Sequence, residues 1–166
     1  MNNGNQRYYA GIGSRETPPE ILQLMTKIAE HMRGRGYILR SGGADGADTA
    51  FEDGAGDSKE IFYAQDANGD DNAYALLDKV CLSLDNAPDD SSRMRRYVRN
   101  LLARNMYQIL GKSLDTPVDC VICWTPGAQL LGGTRYAIRL AQLKEIDVYN
   151  LADSDTVQRI TQRMEE

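Results

Sequence analysis

Histidine and cysteine are scarce in this chain, and long apolar runs are missing. One histidine, His31, occurs in 166 residues, so no histidine-centred triad and no histidine-rich zinc site can be assembled within it. The three cysteines, Cys81, Cys120 and Cys123, are few and odd in number, which argues against a secreted disulfide scaffold and for a reducing compartment. Cytoplasm is the expected location. No apolar stretch approaches the roughly 18 residues of a membrane span, and no charged start leads into a signal-length apolar segment, so neither insertion nor export is expected. Positive charge is not in excess either: 19 Lys and Arg stand against 24 Asp and Glu, a net charge of −5. That balance excludes broad adhesion to nucleic acid or anionic lipid while leaving room for a local basic patch. Cys120 and Cys123 sit three apart in an expected strand, where they face opposite sides, so core packing is preferred to a shared metal. No metal and no cofactor is expected.

What is present is an alternation of short apolar runs and helical patterns, and its length suits one α/β domain over residues 1–166. Residues 1–6 read as a flexible polar N-terminus. Arg7 to Ile12 reads as the first strand, and Thr17-Pro18 with Glu16 and Glu20 as a helix start, with Thr17 the candidate cap. Apolar residues from Ile21 to Met32 recur at helical spacing, which predicts a helix ending near Arg33. Tyr37 to Leu39 is the second strand, Ala47 to Phe51 a small-residue helix, and Glu60 to Ala64 the third strand. Gln65 to Asp71 reads as a loop, Ala73 to Val80 as a helix, and Asp85 to Ser92 as an acidic connection. A long helix is expected from Arg93 to Gly111, a central strand from Val118 to Trp124, a helix opened by Gly132-Gly133-Thr134, a fifth strand at Ile146 to Tyr149 and a closing helix at Ser154 to Met164.

Strand-helix units of this length favour parallel pairing through right-handed crossovers. The expected fold is therefore a three-layer open parallel sheet of about five strands, order 3-2-1-4-5, with helices on both faces. Ligands bind such sheets beyond the carboxyl ends of the strands, at a reversal of strand order. Under this order three loops converge: Gly11 to Arg15, Ser41 to Asp48, and Trp124 to Thr134.

These loops carry the candidate chemistry. Glycine-rich turns that open helices can bring backbone N–H groups to an anion, usually a phosphate. Gly11, Gly13, Ser14 and Arg15 form one such turn, and Ser41, Gly42, Gly43 and Asp45 another. Gly132, Gly133, Thr134 and Arg135 repeat the device late in the chain. Neither the dinucleotide fingerprint nor the Walker A spacing is met. Arg15, Arg104 and Arg135 are the candidate phosphate ligands, because a guanidinium engages phosphate oxygens bidentately. Asp45 and Asp48 would repel phosphate, so a ribose hydroxyl, a base or the helix's own N–H groups is their expected partner. Without histidine, acid-base work would fall to carboxylates, with Glu16 and Asp48 the catalytic candidates. Trp124 is the base-stacking candidate, core filling being its alternative. The five arginines Arg93, Arg95, Arg96, Arg99 and Arg104 could clasp a nucleic-acid backbone or a subunit partner.

Four local signals resemble the SLOG superfamily of Rossmann-like proteins, which takes in DprA-like, LOG-like and molybdenum-cofactor-carrier-like members. They are Gly11-Ile12-Gly13-Ser14-Arg15, the run from Ser41 to Asp48, Arg104-Asn105 and Gly132-Gly133-Thr134. The chain looks most like small bacterial or phage members. The resemblance to DprA implies single-stranded DNA binding with self-association into a homo-oligomer, and places Arg104-Asn105 near nucleic-acid phosphate. The resemblance to LOG implies hydrolysis of the N-glycosidic bond of nucleoside 5'-monophosphates. Its Pro-Gly-Gly-x-Gly-Thr-x-x-Glu motif is similar to Pro126-Gly127 with Gly132-Gly133-Thr134, but Ala137 stands where the glutamate belongs, so another carboxylate such as Glu16 or Asp48 would have to serve.

Three functional expectations follow. The first is binding of a nucleotide or nucleotide-derived phosphorylated small molecule. The alternatives are a nucleotide N-glycoside hydrolase and a single-stranded DNA-binding accessory protein. Arg104→Ala is expected to cost ligand affinity more than folding stability.

Overall fold

Alternation of side chains across a doubly covered sheet explains why the strands read as apolar runs. The structure, a computed structural model, describes residues 6–166; residues 1–5 of the expected flexible N-terminus lie outside the described residues. Its strands are β1 (Arg7–Gly11), β2 (Tyr37–Ser41), β3 (Lys59–Ile61), β4 (Cys120–Cys123) and β5 (Asp147–Asn150). All neighbours pair in parallel, in the order β3-β2-β1-β4-β5. The helices are α1 (Pro19–Gly34), α2 (Ala47–Ala55), α3 (Asp71–Leu82), α4 (Arg96–Leu110), α5 (Thr134–Leu143) and α6 (Ser154–Glu165).

Tyr9, Leu39 and Ile122 point into a layer shared with α1, α2 and α6, while Ala10, Val121 and Cys123 point into the layer of α3, α4 and α5. Each large apolar side chain sequestered this way contributes about 1.5–3 kcal/mol. Cys120 sides with the first of these layers and Cys123 with the second, so the two thiols do not share a face.

Several element ends differ from the sequence reading, each for a local reason. Thr17 does not cap α1; its hydroxyl donates to the Ser14 carbonyl at 2.6 Å and closes the loop after β1. The third strand stops at Ile61, because Ala64–Ala67 coils into a 3-10 turn whose Asp66 carboxylate accepts the Tyr63 N–H at 2.7 Å. Tyr63 therefore leaves the sheet and stands in a loop. α3 is longer than expected because Asp70 caps it, accepting from the Asn72 and Ala73 N–H groups at 3.1 and 3.2 Å. α4 begins three residues after Arg93, which belongs to a separate turn, Ser91–Arg93, held by Asp90.

The chain runs β1 to β2 to β3 toward one edge and then crosses back to β4 on the other side of β1. The carboxyl ends of β1 and β4 part at that reversal, which leaves a crevice.

Candidate functional site

The loops after β1, β2 and β4, together with one face of α4, frame a cleft of about 1410 Å³. From the first loop Gly13, Ser14, Arg15 and Glu16 line it; from the second, Gly42, Gly43, Asp45 and Asp48. Gly132, Gly133 and Thr134 close the third side, and Arg104 and Asn105 of α4 lie between.

Two neighbouring α4 residues bind the two glycine turns into one unit. The Arg104 guanidinium, 8% exposed, donates through Nη1 to the carbonyls of Gly42 at 2.6 Å and Phe62 at 2.9 Å. Its Nε donates to Asn105 Oδ1 at 3.0 Å, and Asn105 Nδ2 donates in turn to the Gly133 carbonyl at 3.1 Å. The approach of α4 to the second turn is close enough to require glycine: a Cβ on Gly42 would lie 2.4 Å from Arg104 Nη1. Much of the donor capacity of Arg104 is thereby spent on backbone oxygens before any ligand arrives.

Asp48, buried in the first turn of α2, accepts the Ala44 N–H at 3.2 Å. Burial pushes its carboxyl up to about 6, against the opposing pull of Arg104 and of the turn's N–H groups. Burial also draws Arg104 down from its ordinary value, with Asp48 pulling the other way. Asp45, by contrast, is exposed and does not cap α2, whose N-cap position is Gly46. A buried carboxylate titrating near neutrality beside an arginine, in a cleft, has the profile of a functional group.

The far rim is built by the start of α4 and the loop after β3. Arg93, Arg95 and Arg96 are exposed around that start, Arg96 alone of the three lining the cleft; they form no ion pair among the described residues and crowd a helix start that has no acidic residue in its first turn. Positive side chains at the positive end of a helix dipole are unfavourable by a few tenths of a kcal/mol each, unless an anion joins them. Arg99 is occupied: it stacks 3.8 Å over the Tyr74 ring and donates to Ser91 Oγ at 3.1 Å. Between these charges and the floor stand two open aromatic rings, Tyr97 at 68% and Tyr63 at 50% exposure.

Four of the sequence-derived candidates stay outside the cleft lining. Ser41 Oγ donates to the Gly11 carbonyl at 2.6 Å, and a Cβ on Gly11 would meet Phe51 Cγ at 2.6 Å, so both residues serve the sheet and its covering helix. Trp124 packs in the layer of α1, α2 and α6. Arg135 folds back on its own loop, donating to the Gly132 carbonyl at 2.6 Å, the Tyr136 hydroxyl at 3.0 Å and the Asn86 carbonyl at 3.3 Å. Ala137 is fully buried in the other apolar layer, so the position of the LOG-like glutamate faces the core. Sequence reasoning missed Tyr63, Tyr97 and Gln108 as cleft residues, whereas Arg96 belongs to the arginine cluster it had singled out for a nucleic-acid backbone. The arginine-crowded, acid-free start of α4 was the signal that could have found Tyr97; no sequence signal pointed to Tyr63, which stands in the loop after β3.

No protein-family model and no curated protein sequence matches the chain. Among solved structures its fold is similar to DNA processing protein A from Helicobacter pylori, whose structure was described for its single-stranded DNA binding mode. The TM-score is 0.56 at 19% identity, over 87% of this chain and 64% of that protein. The chain thus has an open Rossmann-like α/β fold, and its likeness to a DprA protein is one of fold. It spans less than two thirds of that protein's length. No helix among the described residues is long and apolar enough to cross a membrane.

Proposed function

We propose that the chain binds single-stranded nucleic acid in the cleft, with phosphates along Arg95, Arg96 and Arg15 and bases turned toward Tyr63, Tyr97 and the floor. The observation that carries this reading is that the exposed rings of Tyr63 and Tyr97 and the exposed, ion-pair-free Arg96 and Arg15 line one cleft, with Arg95 next to Arg96 outside the lining. Stacking on aromatic faces accepts any base, and guanidinium groups follow the backbone. Cleft size supports it as well: about 1410 Å³ exceeds the roughly 300–1,000 Å³ usual for small-molecule pockets. The likeness in fold to a protein described as binding single-stranded DNA points the same way. The net charge of −5 confines the affinity to this patch and keeps non-specific adhesion low.

Titration of a labelled single strand across salt concentrations tests the reading. With three phosphates neutralised, log K should fall against log salt with a slope of about −2. Absence of binding at low salt, or an affinity indifferent to salt, would sink it.

A second reading, a nucleotide or nucleotide-derived phosphorylated small molecule, is favoured by the start of α5. That helix opens on the cleft at Gly132 and Gly133 with no side-chain cap and no acid in its first turn, which suits an anion. Cleavage of an N-glycosidic bond at the same place would rest on Asp48 or Glu16. Incubation with a panel of nucleoside monophosphates separates the cases, since only hydrolysis releases free base.

A further inference from the structure

The α4 face that opens on the cleft carries four largely buried polar side chains: Asn100, Arg104, Asn105 and Gln108. Three are engaged within the protein. Asn100 joins Tyr74 and Asn68, Arg104 holds the Gly42 and Phe62 carbonyls, and Asn105 holds Gly133. Gln108 differs. It is 2% exposed, forms part of the cleft wall, and its carboxamide makes no hydrogen bond among the described residues. The buried side-chain atoms left without a partner among the described residues are Tyr9 Oη and Arg135 Nε, so the Gln108 amide, unpaired within the protein, keeps its opening onto the cleft, where a ligand can meet it. The amide lies against the Gly42 backbone, where a Cβ would stand 2.5 Å from Nε2. The absence of that side chain keeps the space in front of the amide free.

We infer that Gln108 is a base-reading residue, its carboxamide pairing with the hydrogen-bonding edge of one nucleobase seated at the cleft floor. The inference rests on the proposed nucleic-acid reading and adds a specificity to it. A carboxamide offers a donor and an acceptor side by side. Phosphate only accepts, which would leave the carbonyl oxygen of Gln108 facing negative charge. A base edge that pairs an amino group with a ring nitrogen satisfies both halves, as when glutamine reads adenine. Asp48 lines the same cleft from the turn that Gly42 begins. Its carboxylate attracts an exocyclic amino group and repels carbonyl oxygens. Adenine and cytosine carry an amino group beside a ring acceptor; thymine carries carbonyl oxygens on both sides of its single N–H. The floor therefore selects amino-bearing bases, while the arginine rim is indifferent to sequence.

Equal-length oligo-dA, oligo-dC and oligo-dT, compared by fluorescence anisotropy, test this. Both oligo-dA and oligo-dC should bind about tenfold more tightly than oligo-dT. Agreement between the two separates base reading from the self-stacking of oligo-dA alone. In Gln108→Met, which keeps the chain length and removes the unpaired amide, the ratio should fall below about twofold. Equal binding of all three by the natural chain overturns the inference without touching the nucleic-acid reading, and so does a preference that survives in Gln108→Met. Failure of every oligonucleotide to bind overturns the nucleic-acid reading and takes this inference with it.

Discussion

Arg104 Nη1 lies 2.6 Å from the carbonyl oxygen of Gly42, and this contact joins a helix from one face of the sheet to the turn leaving its second strand. Charge-assisted hydrogen bonds to buried carbonyls are worth roughly 1.5–3 kcal/mol each. Arg104 makes two of them. Arg104→Ala is accordingly expected to cost roughly 3 kcal/mol of folding stability, a fall in Tm on the order of 6–12 °C for a domain of this size. This departs from the sequence-based expectation that Arg104 serves ligand affinity more than stability. Thermal unfolding decides: an unchanged Tm would show that the guanidinium is dispensable to the fold.

Gly42→Ala attacks the same contact from the other side. The new methyl would overlap Arg104 Nη1 and the Gln108 amide, at 2.4 and 2.5 Å. Overpacking of this kind costs about 1–3 kcal/mol. Because the displaced guanidinium also shapes the cleft, binding of single-stranded DNA should weaken along with stability. Combining the change with Arg104→Ala should recover part of the loss, since the clashing group is then gone; strictly additive losses would show that the two residues do not share a contact.

Tyr63 and Tyr97 offer the opposite behaviour. Both rings are at least half exposed, at 50% and 68%, so replacement by alanine should leave stability within about 0.5 kcal/mol. Affinity for a single strand should drop by about 1–3 kcal/mol for each ring that stacks a base. Arg96→Ala should instead flatten the salt dependence by roughly 0.7 in slope with little change in base preference. Normal affinity in a Tyr63→Ala/Tyr97→Ala double variant would remove the aromatic rim from the binding surface.

Asp48 should impose a recognisable pH dependence. Its carboxyl titrates near 3.8 when unfolded and is pushed up to about 6 when folded. Between those values the folded chain holds the extra proton, so stability from this group is greatest at low pH and falls as pH rises toward 6. The shift corresponds to roughly 3 kcal/mol. Carboxylates held low, such as Asp70 beneath Tyr107, tilt the profile the other way, so the informative quantity is the difference between the natural chain and Asp48→Asn. Denaturant unfolding should show the variant gaining relative stability from pH 4 to pH 7. A difference that does not change across that window would mean that Asp48 is not desolvated in solution.

Much of the layout was legible before folding was considered. Alternating apolar and helical periods placed the five strands, and parallel crossovers with the reversal after β3 made 3-2-1-4-5 the natural order. The glycine turns after β1, β2 and β4 were legible too, because a chain that turns sharply at a strand end or admits another group closely needs glycine there. Less visible was which side chains beside those turns would face the opening. Trp124, the base-stacking candidate, packs in the layer of α1, α2 and α6, whereas Tyr97, on the helix start, stands 68% exposed at the rim.

The sequence by itself determined the elements, their order and the edge of the sheet at which the cleft forms, since these follow from local periodicity and from the handedness of crossovers. Only the tertiary structure decided that Arg135 would turn back on its own loop, that Arg104 would bind carbonyls, and that Gln108 would be left with a free amide. The physical reason is that hydrogen-bond partners here lie far apart along the chain, Arg104 and Gly42 being 62 residues distant. A local pattern reports how a residue is oriented on its own element, and carries no record of the carbonyl that another element will bring to meet it.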